Sequence, residues 1–208
     1  MLDYGKKTYI MGILNVTPDS FSDGGDYTNI DIAVNHAKEM IELGADMIDL
    51  GGESTRPGHK FVSAEEEISR IVPVIKRLKE EINVPISIDT YKSEVAEEAL
   101  KLGVDMVNDV WGLTYDGKMA DVVAKYDGEV CIMHNQEGTD YDKDIMEAIK
   151  EFLQNSIDMA LKAGVKKEKI VLDPGIGFGK TYEQNIEVLD RLGELRDLGY
   201  PVLLGTSR

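Results

Sequence analysis

Asn29-Ile-Asp-Ile-Ala-Val-Asn-His-Ala-Lys-Glu-Met-Ile-Glu-Leu-Gly-Ala-Asp-Met-Ile-Asp-Leu-Gly51 carries the alternation that decides the fold. Ile30, Ala33, Val34, Ala37, Met40 and Ile41 recur three and four apart, after Asn29 as an N-cap candidate and before Gly44 as a C-terminal glycine. This half reads as an amphipathic helix. Residues 46–51 that follow are short and apolar, the pattern of a strand buried in a parallel sheet.

The same alternation extends in both directions. Apolar runs at 8–16, 46–51, 84–88, 105–108, 129–133, 169–172 and 201–204 predict seven strands. Between them, Ser63-Ala-Glu-Glu66 opens a helix as a capping box, with Pro73 predicting a kink or a late start. Helical spacing recurs at 93–102, 118–125, 143–162 and 183–198. No repeat, low-complexity tract or linker divides the chain, so one domain over 1–208 is expected. A strand-helix series of this kind makes a doubly wound sheet or a closed barrel, and in both, ligands collect where the strands end. Polar groups stand at every such end: Asn15, Glu53 to Arg56, Asp89, Asn108 with Asp109, His134 with Asn135, Asp173, and Ser207 with Arg208. An open sheet gathers its ligand at one switch point, whereas a full ring of polar ends favours the barrel.

Composition narrows the chemistry. The chain has 208 residues and carries 39 Asp and Glu against 23 Lys and Arg, a net charge of −16 that argues against nucleic-acid binding. Its single cysteine, Cys131, fits a reducing compartment, and no run approaches the roughly 18 apolar residues of a membrane span. A cytoplasmic protein is expected. A zinc or iron centre needs more nitrogen or sulfur ligands than His36, His59 and His134 offer at these positions. Gly175-Ile-Gly-Phe-Gly-Lys-Thr181 imitates a phosphate loop, but Pro174 and Lys180 stand where nucleotide-binding patterns require glycine. Trp111, Cys131 and Met133 read as core or pocket wall. Asp89, Asp173 and Asn108 would together suit a flat ligand with an amidine-like edge, such as a pterin or guanine. Two long loops, 15–25 and 51–58, bring hydroxyls, acids and Arg56 to the strand ends, and Arg56 is a candidate anion clamp.

Those two loops, Asn15-Val-Thr-Pro-Asp-Ser-Phe-Ser-Asp-Gly-Gly25 and Gly51-Gly-Glu-Ser-Thr-Arg-Pro-Gly58, resemble the dihydropteroate synthase family of folate biosynthesis. Ile86-Ser-Ile-Asp-Thr90, Val107-Asn-Asp109, Met133-His-Asn135, Leu172-Asp-Pro-Gly-Ile-Gly-Phe178 and Leu203-Leu-Gly-Thr-Ser-Arg208 continue the resemblance in the family's order. It implies an α/β fold, a TIM (β/α)8 barrel, and a transferase that joins 4-aminobenzoate to 6-hydroxymethyl-7,8-dihydropterin diphosphate, releasing pyrophosphate and 7,8-dihydropteroate. It further implies Mg2+ contacted by Asn15, with Thr55 near the diphosphate. Asp89, Asn108 and Asp173 would hold the pterin, while Met133 and Phe178 line its slot and Ser207 completes the substrate-binding set. Asp19 and Phe21 in the first loop, and Arg56 and Pro57 in the second, match residues that close over the diphosphate and shape the aminobenzoate pocket. Asp19, Arg56, Asp89 and Asp173 are the residues to which the resemblance assigns catalysis, and sulfonamides are the implied inhibitors.

The family continues past the Thr-Ser-Arg segment with a lysine that reaches the pterin, further helices and an eighth strand. The chain is therefore expected to be truncated, with seven of eight strands, and to form a homodimer at full length. Two other readings stand beside this one: a methyltetrahydrofolate-binding methyltransferase, which would not need the two loops, and a non-catalytic pterin-binding fragment.

Overall fold

The computed structural model describes residues 2–17, 26–53 and 61–206. Backbone proximity groups the chain into two compact units, Met1–Val107 and Asn108–Arg208, and each is built from parallel strands alternating with helices.

In the first unit, β1 (Met11–Asn15), β2 (Met47–Gly51) and β3 (Ile86–Asp89) pair in parallel. The crossovers that parallel pairing demands are supplied by α1 (Asp26–Glu42) and α2 (Ala64–Glu81). After β3, α3 (Ser93–Lys101) leads into β4 (Met106–Asp109). The approach to β4 is locked beside β3: the Asp105 N–H donates to Ile86 O at 2.9 Å, and the Ile86 N–H donates to the Asp105 carboxylate at 2.9 Å. Strand β2 is buried along its whole length, the acid Asp49 at its centre included. Small residues of α1 (Ala33, Ala37) and α3 (Ala96, Ala99) and the larger Ile71, Ile75 and Leu78 of α2 are all buried.

Ser63 caps α2 as expected, its Oγ accepting from the Glu66 N–H at 3.2 Å. The reciprocal half of the expected box is missing, because the Glu66 carboxylate bonds Arg70 instead. Helix α2 starts at Ala64 and continues through Pro73, so the late start is not seen. A proline inside a helix removes one main-chain bond, and the buried stripe on either side outweighs that loss.

The second unit runs through α4 (Met119–Lys125), β5 (Glu129–Met133), α5 (Ile145–Ala163), β6 (Ile170–Asp173) and α6 (Tyr182–Asp190). Strands β5 and β6 pair in parallel, with Met133 level with Asp173. The expected seventh strand at 201–204 is a single parallel bridge, Val202 to Leu172, held by Leu172 N–H to Pro201 O at 2.9 Å and Leu203 N–H to Leu172 O at 2.8 Å. The expected helix at 183–198 is divided: α6 ends at Asp190 and Leu192–Leu198 tightens into a 3-10 turn. Gly193 is a weak helix former, and the Arg191 side chain at the junction is drawn to Asp144, Glu187 and Glu194.

Asp144 does two jobs. Its carboxylate caps α5 by accepting from the Met146 and Glu147 N–H groups, and it takes both terminal nitrogens of Arg191, at 2.7 and 3.0 Å. Arg191 and the helix N–H groups hold the Asp144 carboxyl down at about 2, below its ordinary value of 3.8. A depressed acid stabilises the fold above its unfolded pKa and loses that contribution as pH falls through the folded one. Asp144→Asn should therefore be less stable than the parent at neutral pH, with the gap closing as pH falls from about 4 towards about 2 in denaturant titrations. A gap that stays constant with pH would refute the ionic role.

Candidate active site

Within the first unit, the ladder sets Asn15 level with Gly51 and Gly51 level with Asp89. Parallel strands in this register end in one row. Gly51, in the middle, leaves the row open: a Cβ there would lie 3.1 Å from Asn15 Oδ1 and 3.7 Å from Asp89 Oδ2. An amide oxygen and a carboxylate oxygen thus lean over the same bare glycine, a pairing that suits N–H donors or a hard cation. Asn15 is exposed and Asp89 half-buried.

Just beyond that row lies a buried charge cluster. Lys92, following β3, donates to Glu53 and, at 2.5 Å, to Glu67 of α2, and both glutamates are buried. The Lys92 ammonium also lies over the Tyr91 and Phe61 rings, at 4.7 and 5.2 Å from their centroids. Tyr91 OH donates to Glu53 at 3.1 Å, and the other Glu53 oxygen accepts from the Val62 N–H at 3.0 Å. Glu53 therefore ties residue 53 to residue 62, the two sides of residues 54–60. Arg70 adds a bond to Gly52 O at 2.8 Å. Burial raises the Glu67 carboxyl above its ordinary value even though Lys92 opposes the shift.

Within the second unit, Asp173 ends β6 almost fully buried. The His134 N–H donates to Asp173 O at 2.9 Å, extending the β5–β6 ladder by one residue. Asp173 Oδ1 accepts from the Gly175 N–H at 2.7 Å, and among the described residues Oδ2 accepts no hydrogen bond. Burial pushes the Asp173 carboxyl up to about 7, against the Gly175 N–H and the Lys180 charge, which pull it down. Met133, level with Asp173, is buried, and Phe178 is half-buried on the turn that follows β6. That turn needs glycine at 175, where φ is +71° and a Cβ would fall 1.9 Å from His134 O.

The residues expected at the strand ends divide by position. Asn15 and Asp89 share one row in the first unit, and Met133 and Asp173 share one level in the second. Asn108 is half-buried in β4. Its neighbour Asp109 serves the backbone instead, accepting from the Trp111 and Leu113 N–H groups at 2.8 Å each. Asp19, Phe21, Thr55, Arg56, Pro57 and Ser207 lie outside the described residues. Sequence reasoning missed Glu67, Lys92 and the contacts of Lys180, since lysine and glutamate at these spacings look like solvated surface. Glu53 standing directly after β2 was the one available signal. Among the described residues, no three His, Cys, Asp or Glu side chains gather as a metal site, and no helix is long and apolar enough to cross a membrane.

The sequence profile of the family described as pterin binding enzyme matches residues 11–208. The chain is 60% identical over 204 residues to the dihydropteroate synthase of Clostridium beijerinckii, covering 98% of this chain and 76% of the relative. It superposes with a TM-score of 0.98 and 73% identity on the crystal structure of dihydropteroate synthase from Clostridium difficile in the presence of pteroic acid, covering 100% of this chain and 79% of the other. The Xanthomonas albilineans dihydropteroate synthase in complex with 7,8-dihydropteroate matches at 40% identity and a TM-score of 0.88, covering 99% and 74% of the two chains.

The buried cluster after β2 makes a direct prediction. Lys92→Met leaves Glu53 and Glu67 buried without their cation and should cost about 3–5 kcal/mol of unfolding free energy in urea titrations. A loss of less than about 1 kcal/mol would mean that the two acids are hydrated rather than sealed.

Proposed function

The chain belongs to the pterin binding enzyme family, and from that premise we propose that it catalyses the dihydropteroate synthase reaction, as a transferase joining 4-aminobenzoate to 6-hydroxymethyl-7,8-dihydropterin diphosphate with release of pyrophosphate. The barrel favoured by the polar strand ends, a TIM barrel by the resemblance, is the fold class it shares with solved dihydropteroate synthases. Identity to those enzymes over nearly the whole chain weighs against the methyltetrahydrofolate alternative.

The observation that carries the reading into chemistry is Asp173. A carboxylate with one oxygen bonded internally and the other without a donor among the described residues is prepared to accept N–H donors from a ligand. In a pterin, the ring N–H and the adjacent amino group present such donors side by side. Asp89 and Asn108 are assigned to the same ring, with Met133 and Phe178 against its faces. Loss of diphosphate from the carbon attached to an electron-rich pterin builds positive character on the ring and negative charge on the leaving group. Carboxylates facing the ring stabilise the first, and Arg56 the second. Thr55 is assigned to the diphosphate, Asp19, Phe21 and Pro57 to the closing loops and the aminobenzoate pocket, and Ser207 to substrate. No covalent nucleophile is needed.

Asn15 fits the magnesium expected beside the diphosphate. Asn15 is exposed at a strand end and offers a neutral oxygen over the same glycine, Gly51, that Asp89 Oδ2 approaches, the hard-donor chemistry that Mg2+ accepts while keeping most of its waters. When bound, the ion supplies positive charge at the departing diphosphate. A cytoplasmic location, supported by the single cysteine, and a homodimer belong to the same reading.

Assay of the condensation tests it: product and pyrophosphate should appear together, and a sulfonamide should compete with aminobenzoate alone. Arg56→Ala should remove most turnover while pterin binding survives, and near-normal turnover would refute the anion clamp. Asn15→Ala should abolish the dependence of diphosphate binding on Mg2+, and a dependence equal to the parent's would remove Asn15 from the metal site.

A further inference from the structure

The glycine-rich stretch Gly175-Ile-Gly-Phe-Gly-Lys-Thr181, which no step of the reaction uses beyond Phe178, is wound around a buried cation. Lys180 is 8% exposed, and its ammonium meets three acceptors: Gly175 O at 2.8 Å, Phe178 O at 2.9 Å and His134 Nδ1 at 3.0 Å. An ammonium has three protons and no lone pair, so a charged Lys180 donates to all three acceptors and requires the His134 tautomer protonated on Nε2. The turn is the electrostatic inverse of a phosphate loop. Its carbonyls point inward at the motif's own lysine, whereas a phosphate loop points N–H groups at an anion.

That inversion has a geometric consequence. With the Gly175 carbonyl drawn to Lys180, and closed further by the Phe178 N–H at 3.1 Å, the Gly175 N–H faces Asp173 Oδ1. The Tyr141 hydroxyl buttresses the far side by donating to Gly179 O at 2.9 Å. His134 is itself held between Tyr141 and Phe152, with ring centroids 6.1 and 5.0 Å away.

Resting on the pterin reading of Asp173, we propose that Lys180 is a positioning residue: its ammonium holds the turn that orients the Asp173 carboxylate and the Phe178 ring, leaving Asp173 Oδ2 turned to the substrate. Lys180 acts through these groups and touches no substrate atom. The titratable groups facing the turn are His134 after β5, Tyr141 in the segment that follows, Asp173 and Lys180 itself. Burial, reinforced by the Lys180 charge, holds His134 down at about 3, so it stays a neutral acceptor. Burial also pulls Lys180 downward, with the Asp173 charge opposing it. Reciprocally, the Lys180 charge keeps Asp173 from rising further, so removing it moves Asp173 up.

The test uses Lys180→Met and Lys180→Arg, with pteroic acid as the calorimetric probe from about pH 6 to about pH 9, substrate KM values and thermal unfolding. Lys180→Met should weaken pteroic acid binding about tenfold or more, raise KM for the pterin, leave KM for aminobenzoate within about twofold, and move the pH midpoint of binding upward. Lys180→Arg should return that midpoint towards the parent's, since the charge is restored, without recovering full affinity, since the three-acceptor geometry is not. Equal losses for both substrates, tracking a lower melting temperature with no shift in midpoint, would reduce Lys180 to a fold residue and overturn the proposal. If Lys180→Met does not fold, nitrogen NMR of His134 in the parent decides: an Nε2-protonated neutral ring supports the proposal, and an Nδ1-protonated ring overturns it. A parent that binds pteroic acid as tightly as Lys180→Met does, with the same midpoint, fails this proposal alone. A folded parent that does not bind pteroic acid fails the functional reading and the proposal with it.

Discussion

A carboxylate buried at the end of a parallel strand must be met by a donor or a cation, because the loss of hydration would otherwise force it to take up a proton. The strand ends of this chain meet that demand in different ways. Asp109 after β4 is met by backbone, accepting from the Trp111 and Leu113 N–H groups, and burial still raises it to about 6. Glu53 after β2 is met by a cation, Lys92, shared with Glu67. Asp173 after β6 is met only in part, by the Gly175 N–H and the nearby Lys180 charge. The incomplete case is the one proposed to take substrate.

The consequence for function is a division of labour among acids that look alike in sequence. Asp109 and Glu53 are committed to the protein: one shapes the turn at 109–114, the other ties residue 53 to residue 62. Asp173 has an oxygen that accepts no hydrogen bond among the described residues, and burial pushes its carboxyl up to about 7. For an acid raised in this way, ionisation opposes folding as pH climbs from the unfolded value towards the folded one, so the site costs stability that a bound N–H donor can return. A pterin held there as proposed would supply two such donors, favour the ionised form and draw the proton off Asp173 on binding.

Much of this was legible in the residues, and the failures have physical causes. The row Asn15, Gly51, Asp89 and the level Met133, Asp173 follow from period and register, because parallel strands of similar length end together. The Gly175 motif was correctly separated from phosphate loops by Pro174 and Lys180, yet its purpose was invisible: nothing in a one-dimensional pattern says that a lysine will turn inward to its own carbonyls. Lys92 and Glu67 were missed for the same reason, since charged residues at helical spacing are normally solvated. Residues 183–198 read as one helix because their periodicity is continuous, but Gly193 and the three carboxylates around Arg191 break it. In the loops, Arg56 is legible as an anion clamp from its charge and place, whereas Asp19, Phe21, Thr55 and Pro57 are named by resemblance alone, and all five lie outside the described residues.

Pterin recognition as proposed therefore depends on one oxygen of one aspartate. Calorimetric titration of 6-hydroxymethyl-7,8-dihydropterin diphosphate into the parent chain and into Asp173→Ala, with circular dichroism to show that both are folded, tests it most directly. The account predicts saturable binding by the parent and none by the variant. Binding of equal affinity in both would contradict it, because the pterin would then be held by groups other than the carboxylate that β6 brings to its end.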